Sequence, residues 1–221
     1  MVKAAVVTGV LGVVAALVTV LGGHVFASGP AAPSALASSP TLTPLTRSTS
    51  PASSADGLPT GWQIWQDKTG FSVAVPAIWA ATQTDETSYT SDMLFGQPDG
   101  HRSLDIGQSS KPQRDPIYDL RYKEKSYING GQCSNYHRIR LEAVTYGHEH
   151  DGLFASYNAA DLEYTCIRDG ISMHVQYRDF VVIPGKLAYA IIWSSPVAEW
   201  QSQLTNLQLV LDSFSPAKTS S

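Results

Sequence analysis

Residues 28–60 contain no aromatic side chain, and this tract confines any packed core to the part of the chain that follows it. The tract holds 19 Pro, Ser or Thr residues among its 33 positions, with one Arg and one Asp. Such a segment buries too little apolar surface to offset the entropy lost on ordering, so we expect a disordered linker. All five Trp and all ten Tyr lie after it. Residues 61–216 are therefore predicted to form one domain, with 217–221 as a disordered tail.

An uncharged apolar run, residues 4–22, precedes the linker. Its length is close to the ~20 residues that span a bilayer and is long for the apolar part of a cleaved signal peptide. Lys3 gives a weak positive start, and Val25, Phe26 and Ala27 offer a candidate cleavage site. The sequence favours a retained membrane anchor with the domain outside, ahead of cleavage after Ala27 and secretion to the cell wall or extracellular space. No Cys lies near this segment, which excludes a lipoprotein anchor.

Charge and cysteine content narrow the choice of partners and compartment. Residues 61–216 carry 12 Lys or Arg against 18 Asp or Glu, a net charge of −6, which disfavours nucleic acid and anionic bilayer surfaces as partners. Cys133 and Cys166 suggest a disulfide in an exported chain, closing a loop of about 34 residues. Two buried free thiols are the alternative; a metal pair is disfavoured because neither Cys lies in a CxxC or CxxH pattern. No cofactor is expected.

Alternating apolar residues and turn signals predict mainly strands. Strand patterns cover 62–67, 71–75, 93–95, 103–106, 136–144, 162–167, 171–183 and 187–193. Turns are expected at Gln97–Gly100, at Asp169-Gly170 and at Pro184-Gly185. The fold class predicted is α+β, a largely antiparallel β-sheet with flanking helices.

Two helices complete the prediction. Asp115-Pro116 provides the N-cap and first residue of one helix. Its inward face is predicted to hold Ile117, Leu120 and Tyr127, and its solvated face Arg121, Lys123, Glu124 and Lys125. Ser195-Pro196 begins a second helix that runs to about Phe214. Its buried stripe is predicted from 3–4 spacing to be Val197, Trp200, Leu204, Leu207 and Leu211.

Several motifs resemble those of a known family. They are "GFSVAVP" from Gly70 to Pro76 followed by Trp79, "AADLEY" from Ala159 to Tyr164, "AYAIIWSSP" from Ala188 to Pro196, and the closing "DSFSP". Together they resemble an exported domain of streptomycete-type actinobacteria, which also forms the extracytoplasmic part of some serine/threonine protein kinases. The resemblance extends to the PsbP-like superfamily, which implies an α/β/α sandwich. It covers essentially 61–216 and rests on core-packing motifs, so it implies a binding or assembly module rather than an enzyme.

His148 and His150 are the only clustered histidines, in a segment from Tyr146 to Tyr157 that is predicted to be an inserted loop. Alternate residues of an extended chain point to one side, so both imidazoles could meet one Zn²⁺ or Cu²⁺. A solvated polar loop explains the same residues. Among the five tryptophans most are expected in the core, but Trp62 and Trp65 should face opposite ways on a regular strand, which leaves Trp65 as a possible ligand contact.

Other catalytic chemistries find little support. The sequence lacks the GxSxG motif that would support a serine hydrolase, and it contains no glycine-rich phosphate-binding loop. Asp105, Asp161 and Glu163 lie on predicted strands and could pair as acid and base, although polar strand faces explain them equally well.

The function predicted from the sequence is a non-catalytic module, tethered to the membrane or secreted, that recognises a protein or cell-envelope ligand. The alternative is a metal-binding protein or metal-dependent envelope enzyme that uses His148 and His150. Zinc or copper retained on purification without a His tag would favour that alternative. A structural spacer without any ligand is a third interpretation.

Overall fold

The computed structural model describes residues 57–113, 115–131, 133–150 and 153–218, with the backbone alone at 148–150, 153 and 154. The elements in these residues are β1 (Trp62–Gln66), β2 (Ser72–Pro76), β3 (Ala80–Glu86), β4 (Thr90–Gly96), β5 (Ser103–Ser109), α1 (Pro116–Asn129), β6 (Ser134–His150), β7 (Leu153–Arg168), β8 (Ile171–Ile183), β9 (Leu187–Pro196) and α2 (Trp200–Ser213), with a 3₁₀ turn at Val197–Glu199. Leu58 is buried, and the backbone N–H of Ala217 donates to the Tyr189 hydroxyl at 3.1 Å. The described fold thus reaches a few residues past both predicted boundaries.

Seven strands form one antiparallel sheet in the order β3-β4-β5-β9-β8-β7-β6, and β1 and β2 form a separate hairpin. Helix α1 packs on β6, β7 and β8, whereas α2 packs on β2 and β9. The side chains of each strand alternate between the two faces of the sheet, so we call these faces the α1 side and the α2 side. The α+β class with helices flanking an antiparallel sheet is confirmed.

Turn chemistry fixes the strand bounds where it is strongest. Asp169 and Gly170 have φ of 52° and 80°, the left-handed conformation that a two-residue hairpin turn requires, and β8 begins directly after them. The Pro184-Gly185 turn ends the same strand, and β8 has the bounds predicted from the sequence. Strand β3 was not predicted, because its residues are mostly polar and exposed and show no apolar alternation.

The larger hydrophobic cluster lies on the α2 side, between the sheet, the β1–β2 hairpin and α2. The buried residues of α2 are Trp200, Gln203, Leu207, Val210 and Leu211. The predicted stripe was therefore wrong at Val197 and Leu204, which are 41% and 40% exposed. Both 3- and 4-residue spacings keep a helical face, and here the face runs through Gln203 and Val210 instead.

The smaller cluster lies on the α1 side and contains the two cysteines. Cys133 and Cys166 form a disulfide, with their Cα atoms 5.4 Å apart, which confirms the predicted pair. Cys133 lies between α1 and β6, and Cys166 lies on β7. The bond therefore ties the C-terminal end of α1 to the sheet.

The hairpin of β6 and β7 projects beyond the sheet. Strand β8 pairs with β7 only from Asn158 onward, whereas the β6–β7 ladder continues to the pair His150 and Leu153. The predicted inserted loop, Tyr146 to Tyr157, was wrong in that its described residues are strand.

Neither helix among residues 57–218 that the structure describes is long and apolar enough to cross a membrane. The predicted membrane segment, residues 4–22, and nearly all of the predicted linker lie outside the described residues.

Candidate functional site

Helix α1 begins as the sequence predicts. The Asp115 carboxylate accepts a hydrogen bond from the Ile117 backbone N–H at 3.1 Å, and Pro116 occupies the first helical position. Leu120 is fully buried in the smaller cluster, and Ile117 and Tyr127 pack against that cluster from either side. These contacts fix the rotation of the helix on the sheet, and so decide which of its polar residues face inward.

An ionic cluster lies beneath the first half of α1. The Lys123 ammonium is 3.1 Å from the Asp119 carboxylate and donates a hydrogen bond to the Tyr177 hydroxyl. Burial would lower the pKa of Lys123, but Tyr177, Asp179 and Asp119 outweigh this effect and raise it. Burial raises the pKa of Asp179 to about 8, and its hydrogen bond with Asp119 adds to the shift. The cluster therefore holds Lys123 in its charged form, between the Asp119 carboxylate and the Tyr177 hydroxyl.

Glu124 forms a second inward contact. It is 8% exposed, and its carboxylate accepts hydrogen bonds from the Tyr136 hydroxyl at 2.7 Å and from Arg138 Nη1 at 3.1 Å. The predicted solvated face was therefore wrong at Glu124, and also at Lys123, whose side chain is only 35% exposed. The partners lie on β6 and β8, which the helical pattern alone does not bring next to α1.

A row of small and acidic residues crosses the α1 side of the sheet next to this cluster. From β3 to β8 the directly paired residues are Asp85, Asp92, Gly107, Ala190 and Asp179. A Cβ atom at Gly107 would lie 3.0 Å from Asp92 Oδ1, so the glycine leaves room for that carboxylate. Burial raises the pKa of Asp92, and the facing charge of Asp85 raises it further.

Asp105 lies two residues before Gly107 on β5 and therefore on the same side of the sheet. Its Oδ1 atom is enclosed and has no hydrogen-bond partner among the described residues. Burial raises the pKa of Asp105 to about 7, with Asp92 adding to the shift. Asp161 and Glu163 lie on the opposite, α2 side of the sheet, so the predicted acid and base pair that would join Asp105 to either of them was wrong.

Raising the pH from about 6 to about 8 is expected to lower the free energy of unfolding. Asp105 titrates at about 7 instead of 3.8, so the folded chain holds a proton that the unfolded chain has already lost. The resulting stabilisation is complete below about pH 4 and disappears as the pH rises through about 7. Asp105→Asn should remove about 1 kcal/mol of the change between these two pH values, measured by urea unfolding. Asp212→Asn, at an exposed site on α2, is the control. Equal pH dependence in Asp105→Asn and wild type would contradict this assignment.

The outward face of α1 has a different character. It presents Tyr118, Arg121, Tyr122 and Lys125, all exposed, and we call these four residues the outer face of α1. The tyrosine side chains are 61% and 54% exposed, high values for large aromatic residues. Neither Arg121 nor Lys125 forms an ion pair with a described residue. A rigid helix that is anchored by buried contacts and displays aromatic and cationic side chains has the composition of a binding surface.

Charged residues on the α2 side of the sheet pair with one another. Asp161 accepts two hydrogen bonds from the Arg178 guanidinium, at 2.7 and 2.8 Å, and is almost fully buried. Glu163 lies 2.8 Å from His174 Nε2, and the His174 ring stacks on Trp200 at 3.7 Å. Burial lowers the pKa of His174, although Glu163 acts in the opposite direction. These pairs join β7, β8 and α2 and are structural contacts.

A cavity of about 210 Å³ lies where the β4–β5 loop meets the β7–β8 turn. Its lining includes Asp99, His101, Arg168 and Met173, a mixture of acidic, basic and apolar side chains. No group of three or more potential metal ligands occurs among residues 57–218 for which side chains are described.

The structure separates the residues that the sequence singled out. His148 and His150 lie in the projecting part of β6, opposite Ala155 and Leu153; their side chains are not described, so the metal site stays a prediction. Trp65 is half-buried, and its ring packs edge-on against Phe95 with 5.4 Å between centroids. Trp62 packs against the same cluster, so the expected division into one buried and one exposed ring was wrong. The ligand contact at Trp65 stays a prediction.

Sequence reasoning missed the outer face of α1 as a candidate site. The signal was present: with Asp115 as N-cap and Leu120 inward, Tyr118 and Tyr122 must lie on the solvent side of the helix. The inner ionic cluster gave no comparable signal, since its members come from α1 and β8.

Residues 63–216 match the model of a family described as serine/threonine kinase C-terminal domain. A comparison with curated proteins gives no match. Among solved structures, the chain is similar to PsbP from the cyanobacterium Synechocystis sp., with 18% identity, a TM-score of 0.51, and coverage of 74% of this chain and 96% of that one. At this identity the likeness concerns the fold alone, and the PsbP-like fold expected from the sequence is confirmed.

Two further structures are similar over comparable lengths. LpqN of Mycobacterium tuberculosis, described as involved in cell envelope biogenesis, has 13% identity and a TM-score of 0.43, over 70% of this chain and 91% of that one. The Ran-binding protein Mog1p of Saccharomyces cerevisiae has 9% identity and a TM-score of 0.44, over 70% of this chain and 94% of that one. Neither likeness is strong enough to support a functional argument.

Proposed function

Since the chain belongs to the serine/threonine kinase C-terminal domain family, we propose that it is a non-catalytic accessory module that works outside the cytoplasm. In this proposal it recognises a protein or cell-envelope ligand, and is either tethered to the membrane through residues 4–22 or secreted. The observation that carries the binding role is the outer face of α1, where two exposed tyrosines and two cations lie on one rigid helix.

The disulfide supports the proposed location outside the cytoplasm. Disulfides persist in oxidising environments outside the cytoplasm and are rare in reducing ones. The bond between Cys133 and Cys166 also holds the C-terminal end of α1 against β7. The same covalent link that fits an exported chain therefore helps to keep the binding helix in place.

The buried contacts of α1 support binding rather than catalysis. Lys123, Asp119, Tyr177 and Asp179 satisfy one another beneath the helix, away from its outward face. The side chains of the outer face can therefore contact a partner with little loss of conformational entropy, because the helix that carries them is already fixed. Tyrosine and arginine are also the residue types enriched where binding energy concentrates at interfaces.

Removal of the two exposed tyrosines is expected to abolish most of the binding. The full chain, purified in detergent from an oxidising compartment, is sedimented with streptomycete cell-envelope fragments that retain their proteins. Tyr118→Ser combined with Tyr122→Ser should reduce the affinity at least about tenfold, because tyrosine is enriched among the interface residues whose truncation costs about 2 kcal/mol or more. Tyr89→Ser is the control, since Tyr89 is 49% exposed and lies in the β3–β4 connection, outside α1, where its ring contacts the Lys111 ammonium.

Two results would count against the proposal. If the wild-type chain does not sediment with the fragments, it lacks the proposed envelope ligand. If the double variant sediments as well as wild type and as well as Tyr89→Ser, binding occurs but the outer face of α1 is not the surface that carries it.

A further inference from the structure

The outer face of α1 contains the same pair of residues twice. Tyr118 is followed three positions later by Arg121, and Tyr122 is followed three positions later by Lys125. Residues three apart occupy neighbouring positions on a helix surface, so the helix pairs each tyrosine position with a cation position. The second pair repeats the first four residues on, about 6 Å along the helix axis. The helix therefore presents the same pair, an aromatic ring and a positive charge, twice in succession.

The helix keeps its acidic residues away from this surface. Between residues 116 and 129 the only acidic side chains are Asp119 and Glu124. They face inward, where Asp119 pairs with Lys123 and Glu124 pairs with Arg138. Arg121 and Lys125 make no ion pair with any residue that the structure describes. The exposed surface thus carries two positive charges in a domain whose overall charge is negative.

We propose that the outer face of α1 binds an anionic glycan of the cell envelope, a polymer whose repeating unit combines a sugar ring with a phosphate or carboxylate group. This inference rests on the proposed function and names the partner of the same surface. The faces of Tyr118 and Tyr122 offer flat apolar area for successive sugar rings, and their hydroxyls can hydrogen-bond to sugar hydroxyls. The Arg121 guanidinium can hold a phosphate or carboxylate through two parallel hydrogen bonds, and the Lys125 ammonium attracts the next one as a point charge.

The repetition distinguishes this ligand from two other anionic partners. A protein partner is typically held by a few anchors in a central, desolvated pocket, whereas this surface is the convex outer face of a helix. An anionic bilayer is typically recognised by clusters of about four to eight Lys or Arg next to an apolar face. Two cations that alternate with two tyrosines match neither pattern, but they do match a polymer with an alternating ring and charge.

The test uses protein-free glucosylated glycerol-phosphate teichoic acid, immobilised, with the full chain in solution. Wild type should bind this polymer and not neutral dextran, and the affinity should fall as salt rises from about 0.05 to about 0.5 M, because exposed charge pairs are screened. Arg121→Gln combined with Lys125→Gln should weaken binding about five- to tenfold. Lys68→Gln combined with Lys186→Gln makes the same charge change in the β1–β2 and β8–β9 turns, and should alter binding by less than about twofold.

The outcomes separate this inference from the proposed function. If envelope fragments bind through Tyr118 and Tyr122 but the polymer does not bind, the proposed function stands and the glycan assignment is overturned. Equal or tighter binding to polyglutamate, or to phosphatidylglycerol vesicles, would overturn it in favour of an acidic protein or a bilayer. Equal loss in the two double-glutamine variants would show attraction by overall charge alone and would also overturn it.

Discussion

Replacing Trp200 with alanine is expected to lower the free energy of unfolding by about 3–5 kcal/mol, the usual cost of removing a large buried aromatic side chain. Trp200 is the first residue of α2 and is 5% exposed. Its ring stacks on the His174 imidazole at 3.7 Å, with only 6° between the two planes. His174 in turn lies 2.8 Å from Glu163, so the indole joins the start of α2 to two strands of the sheet.

The chain offers a matched control for this substitution on the same helix. Leu204 has the spacing of a buried residue, yet it is 40% exposed. Leu204→Ala should therefore cost less than about 1 kcal/mol in urea unfolding of the full chain. A second measurement is the pKa of His174, which burial lowers. Loss of the indole should let this pKa rise toward 6.5. Equal costs for the two alanine variants would mean that α2 packs through a different face.

The contrast between Trp200 and Leu204 shows what the α2 pattern could predict. A 3–4 apolar spacing predicts that a helix has a buried face, and it placed Trp200, Leu207 and Leu211 there correctly. It could not choose between neighbouring positions at the edges of that face. The choice depends on where the β1–β2 hairpin and the sheet lie around the helix, and Gln203 occupies a position that hydrophobicity alone would assign elsewhere.

Local chemistry made other elements predictable. Strand β8 was predicted with its observed bounds because turn residues with required dihedrals mark both of its ends. The start of α1 was predicted because Asp115 and Pro116 satisfy the needs of a helix N-terminus within three residues of chain. In each case the signal and the structure that it specifies are adjacent in sequence. Strand β3, with its polar exposed residues, lacked any such local signal.

The interior of the candidate site could not be predicted in this way. The helical pattern predicts that Lys123 is solvated. Nothing near it in sequence indicates a contact with Tyr177, which lies 54 residues later. Their contact requires that β8 lie beneath α1, which follows from the order of strands in the whole sheet. Prediction therefore extended to the apolar inward residues Ile117, Leu120 and Tyr127, whose spacing follows the helical period. It ended at the polar residues of α1 whose partners lie on the sheet.

Loss of the bond between Cys133 and Cys166 is expected to lower the free energy of unfolding by roughly 3–4 kcal/mol. The two residues are 33 positions apart, so the bond closes a loop that contains the whole of β6, and it restricts the unfolded chain accordingly. Urea unfolding of the full chain with and without reductant measures the effect. The Cys133→Ser, Cys166→Ser double variant should match the reduced wild type and should not respond to reductant.

The same experiment connects stability to the candidate site. Because Cys133 lies four residues after Asn129, the last residue of α1, reduction should loosen the C-terminal end of that helix before the rest of the domain unfolds. Amide hydrogen exchange should therefore speed up near Tyr127 and Asn129 more than in the central strand β9. Identical unfolding with and without reductant would mean that the bond contributes nothing to stability. Uniform acceleration across α1 and β9 would mean that the helix and sheet unfold as one unit, with no separate role for the bond in holding α1.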